Sequence, residues 1–117
     1  MSIFHIAELP DWEDARDAGA YRVSTRGATL DDVGFIHASK DRGQVERVAA
    51  AVYADLEQDL VVLELNEEAI EESGTPVKYE DGGAGDGELF PHIYGPIDPT
   101  WVAVVLPGEF VDGKFVY

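Results

Sequence analysis

Beyond Gly74 the chain offers strands and turns but no helical stripe, and this restricts the fold more than any other feature of the sequence. Residues 77–80 read as a short strand and residues 101–106 as a buried one. Phe110-Val111 and Phe115-Val116 read as the arms of a hairpin turning at Asp112-Gly113, a pair suited to a tight turn with positive φ. A doubly wound parallel sheet needs a helix between successive strands. The late run of strands therefore argues for an α+β domain, with helices packed on antiparallel or mixed sheets.

The helical signals lie earlier. Val45, Val48, Ala49, Val52, Tyr53 and Leu56 fall at i, i+3, i+4, i+7, i+8 and i+11, one stripe of a helix. Ser39 or Asp41 is placed to cap it, and Asp41 with Gln44 has capping-box spacing. Pro10 suits the first turn of an earlier helix that carries Asp11, Glu13 and Asp14 at its positive end and stops at Gly19. Asn66 caps a short acidic helix that ends near Ser73-Gly74. Between these, residues 2–7, 34–39 and 60–65 read as strands, 21–24 as a short extended piece and 25–33 as a loop. A chain of 117 residues is expected to form one domain.

Charge narrows the partners. Acidic residues outnumber basic ones 24 to 8, for a net charge of −16. Such a field disfavours nucleic-acid phosphates and anionic lipid. Six of the eight bases, Arg16, Arg22, Arg26, Lys40, Arg42 and Arg47, precede residue 48, so a local pocket for a small anion stays open. There is no cysteine, no basic and apolar leader at the N-terminus, and no apolar run of membrane-spanning length. The expectation is a cytoplasmic protein.

The three histidines share one setting: Phe4-His5-Ile6, Ile36-His37-Ala38 and Pro91-His92-Ile93. Side chains alternate along a strand, so apolar neighbours facing the core would turn each imidazole to the other face. Phe35 and Ser39 would then join His37, and Phe90 and Tyr94 would join His92. Lys78 and Glu80 would lie opposite Val77 and Tyr79. Such a face is either a wetted surface of hydrogen-bonded histidines or the floor of a cleft. Spacings of 32 and 55 residues give no close His pair for a zinc site, so no metal is expected. No serine sits in a Gly-x-Ser-x-Gly elbow. The run DGGAGDGE, residues 81–88, reads as a flexible loop rather than a phosphate loop. In FPHIYGP, two prolines stiffen the segment that carries His92 and Tyr94, whose ring suits stacking on a base.

In order along the chain stand His5, Trp12, Gly19-Ala20-Tyr21, GFIHAS with Gln44, VKYE, FPHIYGPI and Asp112-Gly113-Lys114-Phe115. Together they resemble the bacterial family designated domain of unknown function 952, over nearly the whole chain. That family is in turn similar to the ADP-ribosyltransferase-like group, which includes NAD-dependent RNA 2′-phosphotransferases. The resemblance implies a split antiparallel or mixed sheet with two to three helices and a cleft for NAD. It implies that His5 holds a ribose, that His37 and Tyr94 line the nicotinamide or base pocket, and that Glu80 is the catalytic acid. His92 orients a neighbour or moves a proton. Tyr21, Ser39, Lys40, Arg42 and Gln44 complete the expected binding set, with Lys40, Arg42 and the helix start after Ser39 at the pyrophosphate.

Breaking a nicotinamide–ribose bond develops positive charge on the ribose, which a carboxylate stabilises. The expected partner is thus a small molecule or nucleotide, with transfer to a small molecule or protein. The alternative is a non-catalytic module that binds a ligand or a protein in the same His-lined cleft.

Overall fold

The computed structural model describes residues 1–82 and 87–117. The centre of the DGGAGDGE segment, residues 83–86, lies outside the described residues.

The first sheet is built on β5 (Leu60–Asn66), the LVVLEL run, which pairs antiparallel with β1 (Ser2–Glu8) and with β8 (Val102–Val111). β9 (Lys114–Val116) adds to β8, giving the order β1-β5-β8-β9. Alternate residues of β5 enter two different cores. Val61, Leu63 and Leu65 join Ile3 and Ala7 of β1 in one, with Trp12, Tyr21, Ile36, Ile70 and Ile93. Leu60 and Val62 join Ile6 in the other, with Val45, Ala49, Tyr53 and Phe115. Burial on both faces explains why β5 reads as an unbroken apolar run.

Helix α1 (Leu9–Ala18) starts with Pro10 in its first turn and closes on Gly19 at φ 83°, where the Gly19 N–H donates to the Ala15 carbonyl. The sequence expectation of a loop over residues 25–33 is corrected. β2 (Val23–Thr25) and β3 (Ala28–Thr29) form a small hairpin, and α2 (Leu30–Val33) follows. Thr29 and Asp32 make a reciprocal capping box that holds this single turn.

α3 (Arg42–Val48) runs into a π-helical turn (Ala49–Tyr53), and the expected apolar stripe faces the second core. Asp41, not Ser39, caps it, accepting from Gln44 N–H at 2.8 Å. Gln44 does not close the box on Asp41; its Oε1 accepts from Lys40 N–H instead. α4 (Glu67–Glu72) is capped by Asn66 as expected.

The second sheet has the order β4-β7-β6, all antiparallel, from β4 (Ile36–His37), β7 (Leu89–Ile93) and β6 (Val77–Asp81). FPHI is thus the central strand of a sheet. The Asp112-Gly113 turn is as expected, with φ 51° and 81°. The expectation of a buried strand at 101–106 is corrected: Ala103, Val104 and Val105 are exposed, because that part of β8 is flanked by β5 on one side only.

The domain is α+β; the described residues hold four α-helices rather than two or three, and their strands pair antiparallel throughout. Its radius of gyration, 13.2 Å, fits one compact domain of this length. Among the described residues no helix is long and apolar enough to cross a membrane.

Candidate functional site

Pairing across β4-β7-β6 sets His37 opposite His92 and His92 opposite Lys78, while Glu80 lies opposite Phe90. Directly paired residues share a face, as do residues two apart in a strand. Ile36, Ala38 and Ile93 turn into the first core. The opposite face gathers Phe35 and His37, Phe90, His92 and Tyr94, with Lys78 and Glu80, as the alternation predicted; Ser39, also expected beside His37, is instead buried past the end of β4, its backbone paired with Phe4. Their rings are in contact. Phe35 stacks on His92 at 3.9 Å and 11°, His37 lies 5.4 Å from His92, and Phe90 lies 5.0 Å from His37.

His5 departs from the expectation. The sheet that holds β1 has a core on each face, so there is no outer face for the imidazole to take. His5 is 2% exposed, on the Ile3 and Ala7 side of the strand. Its Nδ1 lies 2.7 Å from the His37 carbonyl oxygen and its Nε2 lies 2.9 Å from the Tyr21 hydroxyl. A carbonyl can only accept, so Nδ1 carries the proton and Nε2 accepts from Tyr21. Burial lowers the His5 pKa to about 4, which keeps the ring neutral. In this arrangement neither nitrogen is left for a ribose. His5 joins β1 to the backbone of β4 and so positions His37, whose own N–H donates to Ser24 Oγ at 3.1 Å.

His37 itself opens into a groove between this face and the helical segment 47–52. The groove holds about 350 Å³, and its lining includes Thr25, Arg47, Val48, Val52, Phe90, Gly82 and Glu88. Neither ring nitrogen of His37 has a hydrogen-bond partner among the described residues. Burial, and then the neighbouring His92, lower its pKa to about 4. At neutral pH it is an uncharged ring with one donor and one acceptor to offer. Gly82 permits the narrow wall: a Cβ there would stand 2.6 Å from the Phe90 ring.

Behind His37 lies a relay. His92 Nδ1 stands 2.9 Å from Glu80 Oε1, and Tyr94 donates its hydroxyl to the same oxygen. The Tyr94 bond and then the His92 bond hold the Glu80 carboxyl below its ordinary range, while the same carboxylate pushes Tyr94 up. The Glu80 side chain keeps 39% of its exposure. Both bonds fall on Oε1, so Oε2 has no protein partner among the described residues.

The remaining expected site residues are placed as follows. Tyr21 is buried against His5. Ser39 is buried and its backbone bridges to Phe4. Gln44 is 0% exposed and fully engaged, its Nε2 donating to Leu89 O at 2.8 Å and Glu88 Oε1 at 3.0 Å. The side chain of Arg42 turns to the C-terminus, donating to Tyr117 O and lying 4.3 Å above that ring. Lys40 is exposed at the start of α3. The cation brought to the groove is Arg47, which pairs there with Glu88. Its sequence signal was weak but present: Arg47 lies three residues after Gln44 and beside Val48, on the flank of the apolar stripe. Among the described residues no group of three His, Asp or Glu side chains is arranged to hold a metal ion.

The family model described as "Protein of unknown function (DUF952)" matches residues 6–105. Among solved structures, the chain is similar to the crystal structure of protein CC0527 from Caulobacter crescentus. The TM-score is 0.79 at 25% identity, covering 99% of this chain and 94% of that one. A double mutant of the same Caulobacter protein gives a TM-score of 0.79 at 26% identity, with the same coverage. No curated protein matches the chain.

Proposed function

The chain belongs to the DUF952 family, and from that premise we propose that the groove at His37 is a nucleotide-binding site, with NAD as its ligand and an NAD-dependent transfer as its reaction. The observation that carries this reading is the unpartnered, neutral imidazole of His37 on the floor of an apolar groove, backed by an ionised Glu80. Pockets of a few hundred Å³ take small organic ligands. About 350 Å³ is room for roughly one nucleoside-sized group. The remainder of a dinucleotide would extend past Arg47, where its phosphates compete with Glu88 for the guanidinium. The likeness to the ADP-ribosyltransferase-like group adds NAD to a site that by itself suggests only a flat, partly anionic ligand.

NAD bound there supplies a ribose whose bond to nicotinamide can break, the electron pair leaving with the ring nitrogen. The chain's part is electrostatic and positional. Glu80 Oε2, left open because Tyr94 and His92 hold the other oxygen, would stabilise the positive charge of a ribose that extends from the groove past His37, and would accept from its 2′-hydroxyl. His37 and Phe90 hold the flat ring. The acceptor is a small molecule or a protein side chain, whose proton passes to a neutral imidazole as its oxygen or nitrogen bonds to the ribose carbon. A net charge of −16 disfavours a nucleic-acid acceptor.

A second reading, a binding module without turnover, is favoured by one observation: Glu80 does not line the groove and reaches it through His92. The test is nicotinamide release from NAD by wild type and Glu80→Gln. Release lost in the variant with NAD binding kept supports the transferase. Binding without release in wild type supports the module, and no binding removes both.

A further inference from the structure

His92 is 4% exposed, and its Nε2 is buried with no partner. A buried acceptor left bare costs free energy, so its retention calls for an explanation. Among the described residues two other buried polar atoms share this condition, Trp12 Nε1 and the Tyr117 hydroxyl; Tyr117 lines a separate cavity of about 810 Å³ that shares no residue with the His37 groove. Glu80 fixes the His92 tautomer: the carboxylate can only accept, so Nδ1 carries the proton and, in the neutral ring, Nε2 presents a lone pair. His37 lies beside it, with ring nitrogens that also lack partners. Phe35 and Phe90 flank the two imidazoles as flat apolar walls.

We propose that His37 and His92 together read the hydrogen-bonding edge of a flat ring, His92 Nε2 accepting from a ligand N–H and the His37 N–H donating to an adjacent ligand acceptor. This rests on the nucleotide reading of the same groove and narrows it to a chemistry. A primary carboxamide on a pyridine ring has that paired edge, and so does the amino edge of adenine. A carboxylate in the amide's place has no N–H to give and leaves His92 bare. The ligand edge reaches Nε2 when the His37 ring turns aside, which costs no protein hydrogen bond because its nitrogens make none.

The experiment is two-bond ¹H–¹⁵N correlation of the full chain labelled at histidine, with nicotinamide, nicotinate, adenosine and NAD added separately at millimolar concentration. Free protein should show His92 with a bare Nε2 and a protonated Nδ1. Nicotinamide or adenosine, whichever supplies the edge, should move His92 Nε2 upfield by several ppm, and nicotinate should not. His92→Phe keeps the stack on Phe35 and, if its spectrum is that of a folded chain, should erase the preference for amide over acid. Groove resonances that respond to NAD while His92 Nε2 stays still would overturn the edge-reading and leave the nucleotide site standing. Nε2 moving with nicotinamide or adenosine while NAD leaves the groove unchanged would uphold the edge-reading and remove NAD. No response to any of the four would overturn both.

Discussion

His92 Nδ1 and Glu80 Oε1 stand 2.9 Å apart across the β6–β7 pair, and this contact ties the buried His92 imidazole to a carboxylate that keeps access to solvent. The Tyr94 hydroxyl and then His92 hold the Glu80 carboxyl below its ordinary range, and the pair gives His92 a single tautomer. Replacing Glu80 by Gln removes the charge but keeps a side chain of the same shape. If Glu80 stabilises a developing cation, nicotinamide release should fall by about 10²-fold or more. NAD affinity should change little. An equal loss in both would place Glu80 in binding alone.

The hydrogen-bonded line Tyr21–His5–His37 carbonyl predicts a structural phenotype. Tyr21→Phe leaves His5 Nε2 buried and bare, and should destabilise the fold by about 1–3 kcal/mol. Urea denaturation checks the size. The His37 ring signals should shift as well, because His5 fixes the β4 backbone that carries them.

Gln44 predicts a larger effect than its surface-type chemistry suggests. Its amide serves Lys40 N–H, Leu89 O and Glu88 in a fully buried position. Gln44→Leu fills similar space and leaves two backbone groups unserved, a loss of about 2–4 kcal/mol. The denaturation midpoint should fall, and backbone shifts should spread from α3 to β7.

Stability should depend on pH through His5 and His37, both with pKa values lowered to about 4 by burial. The unfolded rings titrate near 6.5 and bind protons that the folded rings refuse. Stability is therefore fully present above about pH 6.5 and is lost as pH falls toward 4, by about 3 kcal/mol for fully buried His5. Carboxylates such as Glu80, whose pKa is lowered, act in the same direction but at lower pH. An NMR titration checks this directly: the His5 and His37 ring protons should stay flat from pH 8 to about 5.

Much of this site was legible in the sequence, and the reason is periodicity. Ile36, Ala38 and Ile93 face one core, so alternation correctly put Phe35, His37, Phe90, His92, Tyr94 and Glu80 on the other face. The same argument failed at His5 because β1 and β5 carry a core on each side, and alternation then has no outside. The stripe from Val45 to Leu56 marked its helix. Which sheet the flank of that helix would meet depended on tertiary packing, so Arg47 was passed over for Lys40 and Arg42. The turn at residues 30–33 is too short to show a period. An exposed edge such as Ala103–Val105 has the composition of a buried strand.

The groove's claim on a nucleotide is tested most directly by titrating the ¹⁵N-labelled chain with NAD and following backbone amides. The account predicts saturable shifts at His37, Arg47, Val48, Val52 and Phe90, with Arg42 and the C-terminal strand unmoved. No shift at those five residues in millimolar NAD would contradict it.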